Sequence, residues 1–309
     1  MTAEGSVFVV GADADVVVVG LGALGSSAAY WLARRGVKVV GLEQFELGHV
    51  RGASHDHSRI IRRSYHTAHY ARITGDAYAA WRDLEADSGE SLIKVTGGVD
   101  LYPAGSFIDP LTYTAALTEA RVPFEWIDAA EVRRRWPAFA NGTLMHGDVM
   151  GIATDDAGIA PAARGTAVMQ QMAVQHGAEL RPNTPVRSIR PVGGEVEVLT
   201  DAGAIRAGHV VLATDAWTAK ILRTIDIELP MMVTREQLSY FPHVDLERFG
   251  AGRLPVWIWM DDPCFYGFPV YGDPTAVKAA EDCGGPEVDA DTRSEEHTSE
   301  LQSPDHLVC

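Results

Sequence analysis

The sequence lacks the features of several protein classes. Its 309 residues contain no apolar run of about 18 residues, the length a membrane-spanning helix needs. Residues 1–14 contain no lysine or arginine, so a secretory signal is not expected. Basic residues are also few: 26 Lys and Arg against 42 Asp and Glu give a net charge of −16, which repels phosphate backbones and anionic lipid. We therefore expect a cytoplasmic protein that binds small molecules, without nucleic-acid or membrane partners.

Reactive-residue motifs are scarce as well. The 3 cysteines form no C-x-x-C pair, as is typical of a reducing compartment. The sequence contains neither a G-x-S-x-G nucleophile elbow nor a Gly-Lys-Ser/Thr phosphate-binding loop. Several histidines lie near Asp56, but no pair has i, i+4 spacing and no H-E-x-x-H motif occurs, so we predict no metal site. These histidines are His55, His57, His66 and His69.

The end of the chain is not expected to belong to the fold. Residues 293–309 resemble the in-frame translation of a common sequencing adapter and are treated as an artefact. The coding sequence is therefore expected to be cut before its natural stop. The remaining residues are long enough for one large domain or two interleaved domains.

The strongest positive signal is a strand, glycine turn, helix and strand at the start. Residues 15–19 are β-branched or acidic and predict a buried parallel strand, residues 23–35 predict a helix that stops at Gly36, and residues 37–42 predict a second strand.

The turn between the first strand and the helix has the G-x-G-x-x-G spacing of dinucleotide sites. Gly20 permits the tight turn, Gly22 lets backbone amides approach a pyrophosphate, and Gly25 brings the helix close to the strand. Glu43, at the end of the second strand, can accept hydrogen bonds from ribose hydroxyls. The pattern predicts dinucleotide binding and leaves FAD and NAD both open.

The segment 52–62 distinguishes the two cofactors. It reads Gly-Ala-Ser-His-Asp-His-Ser-Arg-Ile-Ile-Arg and resembles the G-S-x-H-x-x-[ST]-R-I-I-R stretch of the flavin amine oxidases of the D-amino acid oxidase superfamily, most closely the monomeric sarcosine oxidase and N-methyl-tryptophan oxidase group. Ala53 is its one departure. Family-like features follow downstream in the same order at Arg135-Trp136-Pro137, at 210–217, at Tyr266-Gly267-Phe268-Pro269 and at Lys278. The resemblance covers about residues 14–292 and implies FAD.

The resemblance also implies site residues. His55, Ser58 and Arg59 are expected near the isoalloxazine ring, and Ser54, Ala213 and Trp217 with the rest of the cofactor. Arg62 is expected to hold a substrate carboxylate, for which a guanidinium is a suitable bidentate donor; the alternative is a surface charge on a helix.

Two further residues are expected to act at the reacting end of the site. Lys278 is expected to stabilise negative charge that develops on O₂. Its alternative interpretation is an exposed lysine after a turn. Tyr266 is expected to line the substrate pocket, and its alternative is a core aromatic residue. Together with His55, Arg59 and Arg62, these residues form the predicted catalytic set.

The predicted fold class is α/β: an FAD-binding, Rossmann-like domain interleaved with a substrate domain built on a mixed β-sheet. After a leader of residues 1–13, we expect the FAD-binding domain at 14–85 and 151–221 and the substrate domain at 86–150 and 222–292. Within these bounds, residues 159–176 predict a helix, and 231–241 and 254–268 predict long strands.

The implied function is an FAD-dependent amine oxidase that acts as a monomer. It would oxidise the C–N bond of an N-methyl amino acid or secondary amine and pass electrons to O₂, giving H₂O₂. Asp282 stands where sarcosine oxidases place an active-site histidine, which argues against sarcosine itself, and Asp215 replaces a glycine. The alternatives are an FAD-dependent dehydrogenase or D-amino acid oxidase relative with another acceptor, a nicotinamide dehydrogenase, or an inactive truncated fragment.

Flavin attachment is left open. The family's flavin-linked cysteine and a substrate-binding lysine are expected beyond Thr292, and neither Cys264 nor Cys283 matches that cysteine.

Overall fold

The computed structural model describes residues 12–141, 148–242, 245–282 and 284–292. The described parts of 1–55 and 163–231 form one compact unit, unit 1, and those of 56–162 and 232–309 form a second, unit 2. The predicted artefactual tail, 293–309, and nearly all of the predicted leader lie outside the described residues. In the described part of the chain, no helix is both long and apolar enough to cross a membrane.

The described chain alternates strands and helices. The strands are β1 (Ala14–Val19), β2 (Val39–Leu42), β3 (Arg59–Ile61), β4 (Lys94–Val95), β5 (Gly98–Tyr102), β6 (Glu125–Asp128), β7 (Met150–Thr154), β8 (Gly158–Ala160), β9 (Glu179–Arg181), β10 (Val186–Val192), β11 (Glu195–Thr200), β12 (Gly203–Leu212), β13 (Leu238–Pro242), β14 (Val256–Trp259), β15 (Phe265–Gly267) and β16 (Ala276–Glu281). The helices are α1 (Ala23–Arg34), α2 (Ala68–Ser88), α3 (Pro110–Glu119), α4 (Ala129–Arg135), α5 (Ala162–Gln175), α6 (Thr218–Leu222) and α7 (Leu246–Phe249). Short 3₁₀ turns lie at Pro137–Asn141, Asp215–Trp217 and Arg223–Ile225.

Unit 1 is built on a six-stranded sheet in the order β10-β11-β12-β1-β2-β9. β1 pairs in parallel with β2 and with β12, and β9 pairs in parallel with β2, whereas β10 and β11 extend the sheet antiparallel. A central parallel strand needs apolar side chains on both faces, which explains why Val16, Val17, Val18 and Val19 are all buried. The predicted strand, turn, helix and strand are confirmed, and β2 begins two residues later than predicted.

Unit 2 contains a seven-stranded sheet in the order β13-β16-β15-β14-β5-β7-β6 and a three-stranded sheet in the order β3-β8-β4. Its 21-residue helix α2 was not predicted from the sequence. The Thr67 side chain caps the start of α2 by accepting the Tyr70 amide, and Gly89 ends it with a left-handed φ of 75°. The mixed sheets with flanking helices confirm the predicted α/β class.

Three predicted elements differ from the structure. Residues 158–160 form β8, so the predicted helix at 159–176 begins only at 162. The predicted strand at 231–241 is wrong, since only Leu238–Pro242 is a strand. The predicted strand at 254–268 is instead the antiparallel pair β14 and β15, because Asp261, Asp262 and Pro263 interrupt it and proline cannot donate to a ladder.

The compact units and the predicted domains have different bounds. Residues 56–85 and 151–162 belong to unit 2, whereas the prediction assigned them to the FAD-binding domain. The functional domain bounds stay a prediction.

Candidate functional site

Unit 1 contains a cavity of about 540 Å³ at the carboxyl ends of β1, β2 and β12. All of its lining residues belong to unit 1, and its volume is within the usual range for small-molecule sites. Ligands of open parallel sheets bind at this edge, beyond the strand ends. The cavity is therefore the candidate cofactor site.

Two glycines shape the turn at the floor of this cavity. Gly20 has φ 88°, and a Cβ atom there would lie 2.4 Å from the Ala213 carbonyl oxygen. A Cβ atom on Gly25 would lie 1.8 Å from the Gly20 carbonyl oxygen. Any side chain at either position would clash with backbone, which is the physical reason for the predicted glycines.

The first turn of α1 presents its amides to the cavity. Gly22 is the N-cap and provides no side-chain cap, and the Ala23 amide donates to Ser54 Oγ at 2.8 Å. A helix N-terminus of this kind, with a partial positive charge and outward N–H groups, suits a pyrophosphate. Gly22 and Ser54 both line the cavity.

Glu43 fixes the turn to the end of β2. Its Oε2 accepts the Leu21 amide at 2.8 Å and its Oε1 accepts the Phe45 amide at 3.2 Å, with the side chain buried. His49 Nε2 lies 3.4 Å from Oε1. Each carboxylate oxygen has two lone pairs, so the acid keeps acceptor capacity for hydroxyls in the cavity.

The remaining predicted cofactor residues of unit 1 also line this cavity. They are His55, Ala213 and Trp217. The Trp217 ring packs edge-on against Phe45 with ring centroids 5.6 Å apart. Gln170 was missed: from α5 its Nε2 donates to the Leu21 carbonyl at 2.9 Å and so braces the turn. The available signal was a pair of polar residues one turn apart in α5, Thr166 and Gln170.

Unit 2 holds the other predicted residues, and Lys278 is almost fully buried there. Its side chain is 3% exposed on β16, so the interpretation as an exposed lysine is wrong. Its Nζ donates to Asp56 Oδ2 at 2.5 Å and to the Ser58 carbonyl at 2.9 Å, and lies 4.9 Å from the Phe268 ring centroid. Burial lowers the pKa of Lys278, and Asp56 offsets only part of that effect.

Asp56 is the partner of Lys278 that sequence reasoning did not assign. Its Oδ1 accepts from the Tyr240 hydroxyl and from the His57 amide. Burial raises the pKa of Asp56, but the hydrogen bonds from Lys278, Tyr240 and His57 outweigh it and hold the pKa below its ordinary value. No spacing rule predicts these contacts, because they depend on how β13 and β16 pair.

Arg62 follows β3 and is largely buried, not a surface charge on a helix. Its Nη1 lies 3.3 Å from Asp100 Oδ1 on β5, and its guanidinium lies 5.0 Å from the Tyr65 ring centroid. Burial lowers the pKa of Arg62, but Asp100 together with Tyr65, Tyr113 and Tyr102 outweighs this and raises it above its ordinary value. Burial raises the pKa of Asp100, and Arg62 offsets only part.

Arg59, Ser58 and Tyr266 lie in unit 2 as well. Arg59 Nη1 donates to the Ser58 carbonyl at 2.9 Å and lies 3.8 Å from Asp56 Oδ2. Tyr266, on β15, is half-buried and packs edge-on against Phe268 with centroids 6.0 Å apart. Burial raises its pKa.

The structure thus divides the predicted residues between the two units, with the glycine-turn residues at the cavity of unit 1 and Lys278 in contact with Ser58 in unit 2. Of the departures from the family pattern outside the segment 52–62, Asp215 is exposed and begins a 3₁₀ turn with φ 44°, and Asp282 is exposed with its amide donating to the Cys264 carbonyl. No group of three or more His, Cys, Asp or Glu side chains among the described residues is arranged to hold a metal ion.

Comparison with known proteins identifies the family. The family of FAD dependent oxidoreductases (DAO) matches residues 15–303. The monomeric sarcosine oxidase of Streptomyces avermitilis is 32% identical over 266 residues, covering 84% of this chain and 66% of the relative. The peroxisomal sarcosine oxidase of Homo sapiens is 30% identical over 269 residues, covering 86% and 67%. The chain thus spans about two thirds of the length of these relatives.

A solved structure shares the fold. The open form of NikD, described as an unusual amino acid oxidase essential for nikkomycin biosynthesis, is 26% identical with a TM-score of 0.79, and the match covers 91% of this chain and 72% of NikD. The chain belongs to the family of FAD dependent oxidoreductases. This confirms the predicted family, an FAD-dependent oxidoreductase, and FAD as its cofactor.

The residues of unit 1 fit this cofactor. The glycine turn leaves no room for side chains, α1 points its N-terminus into the cavity, and the buried Glu43 keeps acceptor capacity there. Gly20, Gly22, Glu43 and Ser54 are the residues that would hold the dinucleotide.

Proposed function

We propose that this protein is an FAD-dependent amine oxidase that oxidises the C–N bond of an N-methyl amino acid or secondary amine. The observation that carries the proposal is the 32% identity to a sarcosine oxidase over 84% of this chain. When bound, FAD accepts two electrons and a proton from the amine and passes electrons to O₂, which yields H₂O₂ with two protons. The imine product then hydrolyses.

In this proposal Arg62 binds the substrate carboxylate. A guanidinium has five N–H donors, and the contact with Asp100 involves one nitrogen, so two others can make a bidentate pair. The Tyr65 ring beneath the guanidinium supports that orientation. Tyr266 lines the pocket for the amine.

Lys278 stabilises the negative charge that develops on O₂ during its reduction. A buried ammonium with fixed partners is preorganised for such charge and requires little reorganisation. Arg62 and Lys278, the two cations in this proposal, both lie in unit 2.

Anaerobic mixing of the FAD-loaded protein with N-methyl amino acids tests the activity. We expect the flavin absorbance near its yellow band to bleach, and admission of O₂ to restore it with one H₂O₂ per cycle. The matched control is the same amine without its carboxylate, for which loss of a bidentate pair predicts at least a 100-fold lower kcat/KM. Absence of bleaching with every N-methyl amino acid would contradict the proposal.

A second candidate is an FAD-dependent amino-acid dehydrogenase or D-amino acid oxidase relative with another electron acceptor. The specific observation in its favour is that the Asp56 carboxylate pairs with Lys278 and reduces the net positive charge available to O₂. Oxygen consumption separates the candidates: a dehydrogenase would reduce an artificial acceptor dye at least tenfold faster than O₂.

The cellular setting is part of the same proposal. We propose a cytoplasmic monomer with small-molecule partners, supported by the net charge of −16 and the scarcity of cysteine. Sedimentation of the FAD-loaded protein as a single species at monomer mass is the expected result.

A further inference from the structure

Asp56 has an unusual backbone conformation for a residue with a side chain. Its φ is 79°, in the left-handed region that favours glycine. Non-glycine residues in that region cost free energy and concentrate at functional sites, where surrounding contacts hold them in place. Asp56 lies within the segment 52–62, at a position that the family motif leaves unspecified.

The Asp56 carboxylate joins two neighbouring strands. Tyr240 on β13 lies directly opposite Lys278 on β16 in the antiparallel register. Oδ1 of Asp56 accepts from the Tyr240 hydroxyl, and Oδ2 accepts from the Lys278 ammonium. The left-handed turn at Asp56 is what brings one carboxylate within reach of both side chains.

We propose that Asp56 is a positioning residue that keeps the Lys278 side chain protonated and in one orientation. An amine buried this deeply loses its proton readily, and a carboxylate at hydrogen-bond distance favours the charged form. The Ser58 carbonyl and the Phe268 ring fix the direction of the ammonium but supply no negative charge. The role toward O₂ rests on the proposed function, whereas the pairing itself rests on these contacts.

Several other charged and titratable groups act on this pair. Arg59 lowers the pKa of Lys278, in the same direction as burial, and Asp56 opposes both. Tyr240 and the more distant Tyr266 interact with Asp56, and Asp273 interacts with Tyr240. Removing the Asp56 charge leaves burial and Arg59 unopposed, so the pKa of Lys278 must fall further.

The first test is the pH dependence of stability in Asp56→Asn, a variant that tolerates the left-handed backbone. Because the pKa of Lys278 is lower in the folded than in the unfolded chain, the unfolded chain binds more protons between those two values, and stability rises with pH across that interval. We call the low-pH end of this interval, where stability begins to rise, the stability edge. In the variant, the stability edge should move to lower pH by at least one unit. Urea unfolding between pH 6 and 10 measures it.

Tyr240→Phe is the matched control. It removes a hydrogen bond to Asp56 but leaves the carboxylate charge, so stability should fall without a shift of the edge. Asp56→Glu should restore the wild-type edge because it keeps the charge. If Asp56→Asn loses the same stability at every pH, Asp56 is only structural and the proposal is overturned.

A second measurement follows the proton on Lys278 directly. With lysine labelled at its ε-carbon, the Lys278 signal should titrate at higher pH in the wild type than in Asp56→Asn. Equal titration midpoints in the two proteins would overturn the proposal, since Asp56 would then not favour the proton on Lys278.

The oxygen reaction connects the inference to function. In FAD-loaded Asp56→Asn, the fall in flavin reoxidation rate at alkaline pH should move to lower pH by the same amount as the stability edge. The variant Lys278→Met distinguishes a failure of the proposed role of Lys278 toward O₂ from a failure of the proposed role of Asp56. If its reoxidation equals that of the wild type, the proposed role of Lys278 toward O₂ fails, while the stability edge still decides the role of Asp56.

Discussion

Gly25 is the residue with the least room in the cofactor turn, since a Cβ atom there would overlap the Gly20 carbonyl oxygen. We expect Gly25→Ala to lower the free energy of unfolding by about 1–3 kcal/mol, because the backbone must move to admit a methyl group. The same movement should abolish retention of FAD. Urea unfolding and the fluorescence of released flavin measure the two effects.

Gly36→Ala is the control for this substitution. Unlike Gly25, Gly36 has a left-handed φ of 79°, which would be strained for alanine, but nothing lies within 4 Å of the position a Cβ would take. It should cost about 1–2 kcal/mol through backbone strain alone and leave FAD bound. Retention of FAD by Gly25→Ala at wild-type affinity would contradict the close-approach argument.

Glu43 offers a second test of the cofactor turn. In Glu43→Gln, an amide group replaces one of the two oxygens that accept the Leu21 and Phe45 amides, so a buried donor loses its partner. We expect a 10-fold to 100-fold loss of FAD affinity, measured by titration of the apoprotein. Glu46→Gln, an exposed acid in the same loop, should bind FAD as the wild type does.

Residue roles that arise from local geometry could be predicted from the sequence, and those that arise from long-range pairing could not. Gly20, Gly25 and Glu43 lie within one strand, turn, helix and strand unit, where spacing determines position. The contact between Asp56 and Lys278 spans 222 positions and depends on sheet register. The motif predicted a carboxylate-binding role for Arg62, but nothing in it pointed to Asp100.

At the scale of elements, one buried pair links the end of β3 to β5. Arg62 and Asp100 each face the charge of the other, and both side chains are largely buried. Replacing only Arg62 with Met leaves an unpaired buried carboxylate, and we expect a cost of about 3–5 kcal/mol in the free energy of unfolding.

The single variants Arg62→Met and Asp100→Leu and the double variant Arg62→Met, Asp100→Leu form a double-mutant cycle with the wild type. The double variant should lose less free energy of unfolding than the two single variants lose together, because it leaves neither charge unpaired. Chemical denaturation of all four proteins gives the coupling. Additive single costs would show that the two groups do not stabilise each other.

Prediction of elements succeeded where the hydrophobic pattern was regular. The valines of β1 and the alanine-rich α1 were predicted because burial on one sheet dictates their composition. Helix α2 was missed, since it is rich in charged residues and only Ala71 and Leu84 are fully buried. The turn at Asp261-Asp262-Pro263 was visible in the sequence and should have ended the predicted strand at 254–268.

For the whole molecule, the location of the cofactor cavity entirely within unit 1 makes a prediction for hydrogen exchange. FAD at about 100 times its dissociation constant should slow exchange of the Leu21 and Ala23 amides roughly 100-fold if they open only after release. The hairpin turn Gly193-Gly194 belongs to unit 1 but does not line the cavity, and its exchange should not change. Equal slowing at both places would contradict a local cofactor site.

The family could be predicted from the sequence more reliably than the division into units. Motifs at both ends of the matched region specified the family, because each combines several residues in order. Residues 56–85 pack with unit 2, although they follow the glycine motif directly. Chain proximity to a motif does not determine which core a segment joins.

The parallel pairing of β1 with β12 has a consequence for synthesis on the ribosome. β1 ends at Val19 and β12 begins at Gly203, so one edge of β1 has no partner strand until the intervening chain and β12 have been translated. At ordinary elongation rates, translation of this intervening chain takes roughly 10 to 40 s. During it, a row of valines with unpaired amides is open to mispairing, so chaperone protection of the nascent chain matters most before residue 212 emerges.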